Sequence, residues 1–401
     1  MLRIRGLLSL AATVLAASCA TAAAAPPPVD VPAYIVRGGP EAIVLASRAP
    51  DARRAPASIT KLMTVLVALE HASLDDVVTV TPQAAGIGES TIGLRSGERL
   101  SVRDLAIAAL VPSANDAATA LAVHVGRGSV ARFVSMMNLK ARSLGLTSTH
   151  FVNPHGLDQR GHVSSARDLT TLLIAALRDP FIRTWSTRST ATIAGGRVLA
   201  STDGLIGKLP LLGAKTGHTD AAGWSQVAAV ERDGVRITAS LLGARSEGQR
   251  NAELGSLLAW GLAQYHPVRV IDTRVYGLAE TGYGQPPVRV VARRAVVRIV
   301  RVARPLVERV AMSSALALPV ARGQQVGEVR VFAGGRVIAR APLVAADAVP
   351  AVGTAGKIEW YARRTVHHLL KLLPPRAATL RRERFLGGSR CDHHRHSQCR
   401  A

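Results

Sequence analysis

The sequence predicts an α/β protein: an antiparallel sheet flanked by helices, followed by a small β-rich domain and a basic C-terminal helix and tail. Three observations predict it. Before residue 265, apolar stretches with helical spacing are interleaved with short alternating runs, including a hairpin signal around Arg232-Asp233-Gly234. From about residue 268, Val- and Ile-rich runs broken by Gly and Pro replace the helical spacing. After Gly353 a charged stretch returns to a helical period.

The elements follow in order. Arg3 and Arg5 precede an apolar run at 6–17, a small-residue segment at 18–25 and Pro26-Pro27-Pro28. That layout predicts a secretory signal peptide over residues 1–25. Cys19 falls within it, and Cys391 and Cys399 lie in the C-terminal tail, so no disulfide framework is expected in the exported core. Residues 33–37 and 42–46 read as a hairpin around Gly38-Gly39-Pro40, and a polar loop at 50–56 delivers the chain to Ser58. The run 62–69 is apolar and helix-compatible, and 77–80 is a short strand. Ser101 caps a helix at 102–110; an Ala-rich helix follows the 112–116 loop and breaks at 126–128. Helices are expected at 130–144, from Ser165 through 178, and at 246–265. Residues 151–158 are a loop dense in turn residues, residues 213–219 follow a weak strand, and 226–230 with 235–242 form the hairpin. The first domain is set at residues 29–265.

Residues 266–350 read as the β-rich domain, with 13 Arg against 5 acidic residues between 268 and 347. Arg289 and Arg293 share one strand parity while Arg294 and Arg298 share the other, which asks for a bulge or turn near Arg293-Arg294. Residues 351–373 are a linker and an amphipathic helix. Ile358, Tyr361, Ala362, Thr365, Leu369, Leu372 and Leu373 share one face, and Lys357, Arg363, Arg364, His367, His368 and Lys371 the other, with Trp360 misplaced on the polar side. Residues 374–401 are a basic, disordered tail. The net charge of +23 calls for anionic partners. With a signal peptide, these are lipid headgroups or acidic wall polymers, and no nucleic acid is expected.

Chemistry concentrates in short motifs. Ser58 and Lys61 stand three apart where a helix begins, so both occupy one face and the amine reaches the hydroxyl. A serine needs a neighbouring base to become a nucleophile, and a lysine serves only when neutral. Burial and a second cation lower its pKa. Ser113-Ala114-Asn115 and Lys215-Thr216-Gly217 follow in the chain. A Lys/Thr pair is a sound receptor for a carboxylate. His155 and His162 are expected to hold their loop together. Cys391, His393, His394, His396 and Cys399 fit no standard metal spacing, so no metal and no cofactor is expected.

The three motifs in this order match the Ser-x-x-Lys, Ser-x-Asn, Lys-Thr-Gly set. The chain thus resembles the penicilloyl serine transferase superfamily, and within it the low-molecular-mass penicillin-binding proteins that are D-alanyl-D-alanine carboxypeptidases. The likeness runs from about 33 to 265, carried by 57–64, 113–118, 153–158 with Gly161-His162, and 215–223. It implies a β-lactamase/transpeptidase-like sheet in the first domain. It further implies that Ser58 attacks the carbonyl between two D-alanines with Lys61 as base, and that Ser113 relays a proton to the leaving amine. Asn115 would hold Ser113 and contact the substrate amide. Lys215 would add positive charge, Thr216 bind the terminal carboxylate, and Gly217 let the substrate lie along the strand. The backbone N–H groups of Ser58 and His218 would form the oxyanion hole. Peptidoglycan stem peptides would be the substrate and β-lactams covalent inhibitors. The enzyme would sit in the periplasm or peripherally on the outer face of the cytoplasmic membrane, its C-terminal helix against an anionic surface. The alternatives are a D,D-endopeptidase, a β-lactamase, or a non-catalytic wall- or membrane-binding protein. The segment Ser201-Thr202-Asp203-Gly204 departs from the family's Asn-rich pattern, and no Glu-x-x-x-Asn segment of the β-lactamase kind is evident.

Overall fold

The computed structural model describes residues 24–39, 42–302 and 304–372. Nearly all of the signal-like segment, the basic tail and the cysteines Cys19, Cys391 and Cys399 lie outside the described residues.

The chain begins with strands β1 (Ala33–Gly38) and β2 (Ile43–Arg48), then a 3-10 turn at Ala57–Thr60 that runs directly into α1 (Lys61–His71). Then come β3 (Val77–Thr79), α2 (Pro82–Ala85), β4 (Arg99–Ser101), α3 (Val102–Leu110), α4 (Asn115–Val125) and α5 (Val130–Ser143). The next group is α6 (Ala166–Ala176), α7 (Pro180–Trp185), β5 (Thr190–Ile193), β6 (Arg197–Ala200), β7 (Leu211–Thr219), β8 (Gly223–Arg232), β9 (Val235–Ala244) and α8 (Glu247–Ala263). Side-chain caps fix several helix starts. Ser101, Ser129, Ser165 and Ser246 each accept a backbone N–H two or three residues into the helix they open.

Strands β2-β1-β9-β8-β7 form an antiparallel sheet in that order. Helix α8 lays Leu254, Leu257, Leu258 and Leu262 on one face, against Val36, Val230 and Ile237. On the other face sits a helical layer whose core includes Leu62, Leu105, Leu121, Phe133 and Leu169. Because both faces are covered, the middle strands bury successive residues: Val227, Ala228, Ala229 and Val230 are all fully enclosed. Strand β7 closes the sheet on the open side, and the Lys215-Thr216-Gly217 motif lies inside it rather than after it. The turn carrying Ser58 packs against this edge strand. Helices α2 and α7 and the β5–β6 hairpin were not legible in the sequence. Each holds six residues or fewer per element, too short for a period to register.

Beyond α8 the chain forms β10 (Tyr265–Ile271), β11 (Val275–Thr281), β12 (Val288–Ala292), β13 (Val296–Arg301), β14 (Leu306–Met312), β15 (Ala315–Leu316), β16 (Gln325–Ala333) and β17 (Arg336–Ala345). A six-stranded sheet of order β14-β16-β17-β12-β11-β15 and a β10–β13 pair enclose their own core of Val290, Val329, Leu343 and neighbours. Arg293 and Arg294 occupy the turn between β12 and β13, which accounts for the parity switch among the arginines. Last comes α9 (Thr354–Leu372). Trp360 docks edge-on to Tyr283 with ring centroids 5.6 Å apart, which explains why it breaks the amphipathic pattern. Tyr361 also meets Tyr283 edge-on, with ring centroids 6.2 Å apart, while Ile358, Val366 and Leu369 stay exposed, so most of the apolar stripe is left off the β-rich unit. No helix among the described residues is long and apolar enough to cross a membrane.

Candidate active site

Ser58 lies one turn from Lys61, and the 3-10 geometry of Ala57–Thr60 aims both side chains the same way. Lys61 Nζ is 2.7 Å from Ser58 Oγ and donates to the backbone carbonyl of His155 at 2.7 Å. Lys61 is fully enclosed. Burial first, then the charge of Lys215, hold its pKa well below the ordinary lysine value, against the opposing pull of Asp116 and Glu89. The residue before Ser58, Ala57, sits at φ +48°, a conformation that a side chain adopts only at a cost in strain.

Ser113 faces this pair from the loop before α4, also in the left-handed region at φ +68°. Its Oγ accepts a 2.8 Å hydrogen bond from Lys215 Nζ, which also donates to the Thr216 carbonyl at 3.0 Å. Burial lowers Lys215 to about 7, with Asp203 opposing and Arg250 assisting. Asn115 is not hydrogen-bonded to Ser113. Its Nδ2 donates to the Gly88 carbonyl at 3.1 Å and its Oδ1 is buried without a partner among the described residues. Next to it, the carboxylate of Asp116 accepts N–H groups from Ile92, Leu94 and Ala117. Together these pin the 88–94 segment as one wall of the site.

Ser58, Ser113, Thr216, Gly217 and His218 line one open cleft of about 600 Å³. Lys61 and Lys215 lie behind it. Gly217 does more than keep the strand surface clear. A Cβ there would stand 2.9 Å from Ala57 Cβ and 3.0 Å from the Ser58 nitrogen, so the glycine lets β7 close on the Ser58 turn. Gly156 does the same from the other side: at φ +96°, its missing Cβ would lie 2.0 Å from the Ala57 carbonyl oxygen.

Four residues in the cleft went unrecognised in the sequence. Arg250, on the first turns of α8, is 1% exposed, with its guanidinium 5.5 Å from the Trp224 ring. Burial lowers its pKa, with Glu247 and Asp203 opposing. Thr202 meets Thr216, Oγ1 to Oγ1, at 2.8 Å. Asp203 lines the cleft beside them, one of its carboxylate oxygens buried and unpartnered. Trp224 stacks on His218 at 4.2 Å between centroids.

The 150–164 loop is locked from behind. The Val152 N–H donates to His162 Nδ1 at 2.9 Å, so that nitrogen is unprotonated and Nε2–H donates to Thr60 Oγ1 at 2.9 Å. Thr64 Oγ1 donates to the Pro154 carbonyl at 2.5 Å. Burial, reinforced by the charge of Lys61, lowers His155 to about 3; burial and His150 lower His162 to about 4. Both rings are neutral locking groups, and no cluster of metal-ligand residues exists among the described residues.

Residues 20–246 match the family described as D-alanyl-D-alanine carboxypeptidase, and residues 274–351 the one described as penicillin-binding protein 5, C-terminal domain. The chain is 32% identical to D-alanyl-D-alanine carboxypeptidase DacD of Salmonella typhimurium, over 86% of this chain and 93% of that one. It is 31% identical to D-alanyl-D-alanine carboxypeptidase DacA of Escherichia coli, over 85% and 89%. A D-alanyl-D-alanine endopeptidase of Pseudomonas aeruginosa is 39% identical, but over only 47% of this chain and 64% of its own. Among solved structures, penicillin binding protein 5 of Haemophilus influenzae superposes with a TM-score of 0.60 at 28% identity, covering 81% of this chain and 99% of that one.

The two buried rings carry a pH signature. A histidine whose folded pKa is depressed contributes stability that is complete above its unfolded value of 6.5. That stability is lost as pH falls from 6.5 toward about 4 for His162 and about 3 for His155. The expected slope is up to about 1.4 kcal/mol per pH unit for each ring. Denaturant unfolding between pH 7 and 4 measures it. His162→Gln should be less stable than the parent at pH 7 yet lose stability less steeply on acidification, and an unchanged slope would remove His162 from the account.

Proposed function

We infer, on the premise that this chain belongs to the D-alanyl-D-alanine carboxypeptidase family, that it is a serine-type D-Ala-D-Ala carboxypeptidase. It removes the terminal D-alanine from peptidoglycan stem peptides through an acyl-enzyme on Ser58. The observation that carries the assignment of residues is the enclosed Lys61 amine 2.7 Å from the Ser58 hydroxyl, with a second cation, Lys215, depressing its pKa.

The chemistry runs as follows. Neutral Lys61 accepts the hydroxyl proton as Ser58 Oγ bonds to the penultimate carbonyl carbon. The backbone N–H groups of Ser58 and His218, brought together because Gly217 lets β7 meet the turn, stabilise the oxyanion. One such donor is worth roughly 3 kcal/mol. The C–N bond then breaks, and Ser113 passes the proton held by Lys61 to the leaving D-alanine amine, which returns Lys61 to its neutral form. Water, activated by Lys61, hydrolyses the ester and frees Ser58. Thr216 and the cations Lys215 and Arg250 receive the terminal carboxylate, whose charge-assisted bonds are the strong kind. Asn115 retains an unpartnered acceptor for the substrate's amide. A β-lactam enters the same path, because its strained amide presents the same carbonyl and its carboxylate the same anion.

The signal-like N-terminus supports export to the periplasm. Helix α9 supports peripheral attachment to an anionic membrane: its Ile358, Val366 and Leu369 are exposed, and its other face carries Lys357, Arg363 and Arg364. Its 19 residues span about 28 Å.

Ser58→Ala should keep the parental melting temperature and lose both acylation by labelled penicillin and release of D-alanine; acylation retained by the folded variant would contradict the assignment. On paired substrates, the parent should release D-alanine from a pentapeptide far faster than it cuts a cross-linked dimer. The reverse order would make it an endopeptidase.

For the helix, the full chain should co-sediment with anionic vesicles and not neutral ones, and salt should weaken the binding. A chain ending at Gly353 should stay in the supernatant. Equal behaviour of the two would rule out the attachment.

A further inference from the structure

The β-rich unit carries a row of like charges. Arg309 on β14 stands directly opposite Arg330 on β16, which stands directly opposite Arg340 on β17. Direct partners on adjacent strands share a face, and like charges placed so oppose sheet formation. This is the outer face: Val329, Val331, Ala339 and Ala341, at the alternate positions, are buried in the core. Arg294, in the β12–β13 turn, and Arg298, on β13, join Arg330 and Arg340 around a groove of about 590 Å³ whose floor is β17 at Val337–Ala339. Arg298 is fixed there, its Nε donating to the Ile338 carbonyl at 3.0 Å.

The unit's acids do not neutralise this groove. Asp272, Glu308 and Asp347 pair with Arg269, Arg274 and Arg289 elsewhere, Glu280 on β11 does not line the groove, and among the described residues Glu328, paired with Arg330, is the acid at its edge. Arg294 and Arg340 make no ion pair among the described residues. A concave cationic surface that costs the sheet stability is accounted for by an anion that fills it.

We propose that the groove is an accessory site for carboxylate-bearing stem peptides of the wall polymer, holding the strand whose terminal D-alanine enters the cleft. The proposal rests on the carboxypeptidase reading. Guanidinium forks match carboxylates bidentately, and guanidinium rows about 5 Å apart on neighbouring strands suit an extended peptide carrying several of them. The groove's position favours a polymer over lipid. Helix α9 docks through Trp360 on Tyr283, in the β11–β12 turn. That turn leads into the part of β12 that pairs with the Ala345 end of β17. The groove lies toward the other end of β17. There Ala333 and Ile338 share a crevice with Gly38 and Gly39 of the catalytic unit. A flat bilayer meeting α9 would not enter it.

The test uses the full chain, comparing the parent with a triple variant Arg294→Ser, Arg330→Ser, Arg340→Ser and with the corresponding triple Lys variant. Hydrolysis of a soluble pentapeptide and penicillin acylation read the cleft and should be unchanged in all three; their loss in the parent would defeat the carboxypeptidase reading itself. Co-sedimentation with purified peptidoglycan sacculi, and release of D-alanine from them, read the groove. Both should fall roughly tenfold in the Ser variant, the sum for three exposed charge-assisted contacts, with partial recovery in the Lys variant. Raised salt should bring the parent down to the Ser variant's level. Parental binding and turnover of sacculi by the Ser variant would overturn the proposal. So would a loss confined to anionic vesicles, which would make the groove a lipid contact.

Discussion

Two lysine amines enclosed in one site set the terms for the rest of this structure. Lys61 is fully buried and Lys215 3% exposed, each facing a serine hydroxyl. Neither could be buried as a bare cation without a large penalty. Each is held by a hydroxyl and a backbone carbonyl, Lys61 by Ser58 and His155, and Lys215 by Ser113 and Thr216. Burial first, and then the charge of Lys215, push the Lys61 amine toward its neutral form, the form that the proposed base requires.

The architecture serves that pair. Lys61 comes from the helical layer and Lys215 from the edge strand, so the cleft exists only where the two layers meet. Closing that seam requires the backbone to approach more tightly than side chains allow, hence Gly156 and Gly217 on either side of Ala57. It also places Ala57 and Ser113 at positive φ, strain that the packed surroundings hold in place. The neutral His162 lock and the Asp116 clamp on the 88–94 wall keep the seam from relaxing.

Much of this was legible in the sequence, and the limits follow from physics. Motif spacing worked where a regular element converts it to geometry. Three residues make one helical turn between Ser58 and Lys61, and a continuous strand carries Lys215 to His218. The hairpin at Asp233-Gly234 and the Ser caps were legible because turn and cap chemistry is local. Arg250 and Trp224 were not: Arg250 gains meaning only from its burial, and Trp224 only from the ring contacts that bring it to His218 and Arg250. Asn115 shows the same limit in reverse. The motif marked its position, but only the fold shows its amide spent on the Gly88 carbonyl rather than on Ser113. The β-rich unit was legible as strands, while the stacking of Arg309, Arg330 and Arg340 depends on register, which alternation alone does not fix.

The most direct test of the account is the titration of Lys61 itself, followed by NMR on protein labelled at the lysine ε-carbons. Burial beside Lys215 predicts that Lys61 titrates well below the ordinary 10.5. It also predicts that the neutral, similarly shaped Lys215→Met raises the Lys61 value, because a coulombic cause has been removed. A Lys61 that titrates near 10.5, or one that does not respond to Lys215→Met, would contradict the claim that these two buried amines make Ser58 a nucleophile.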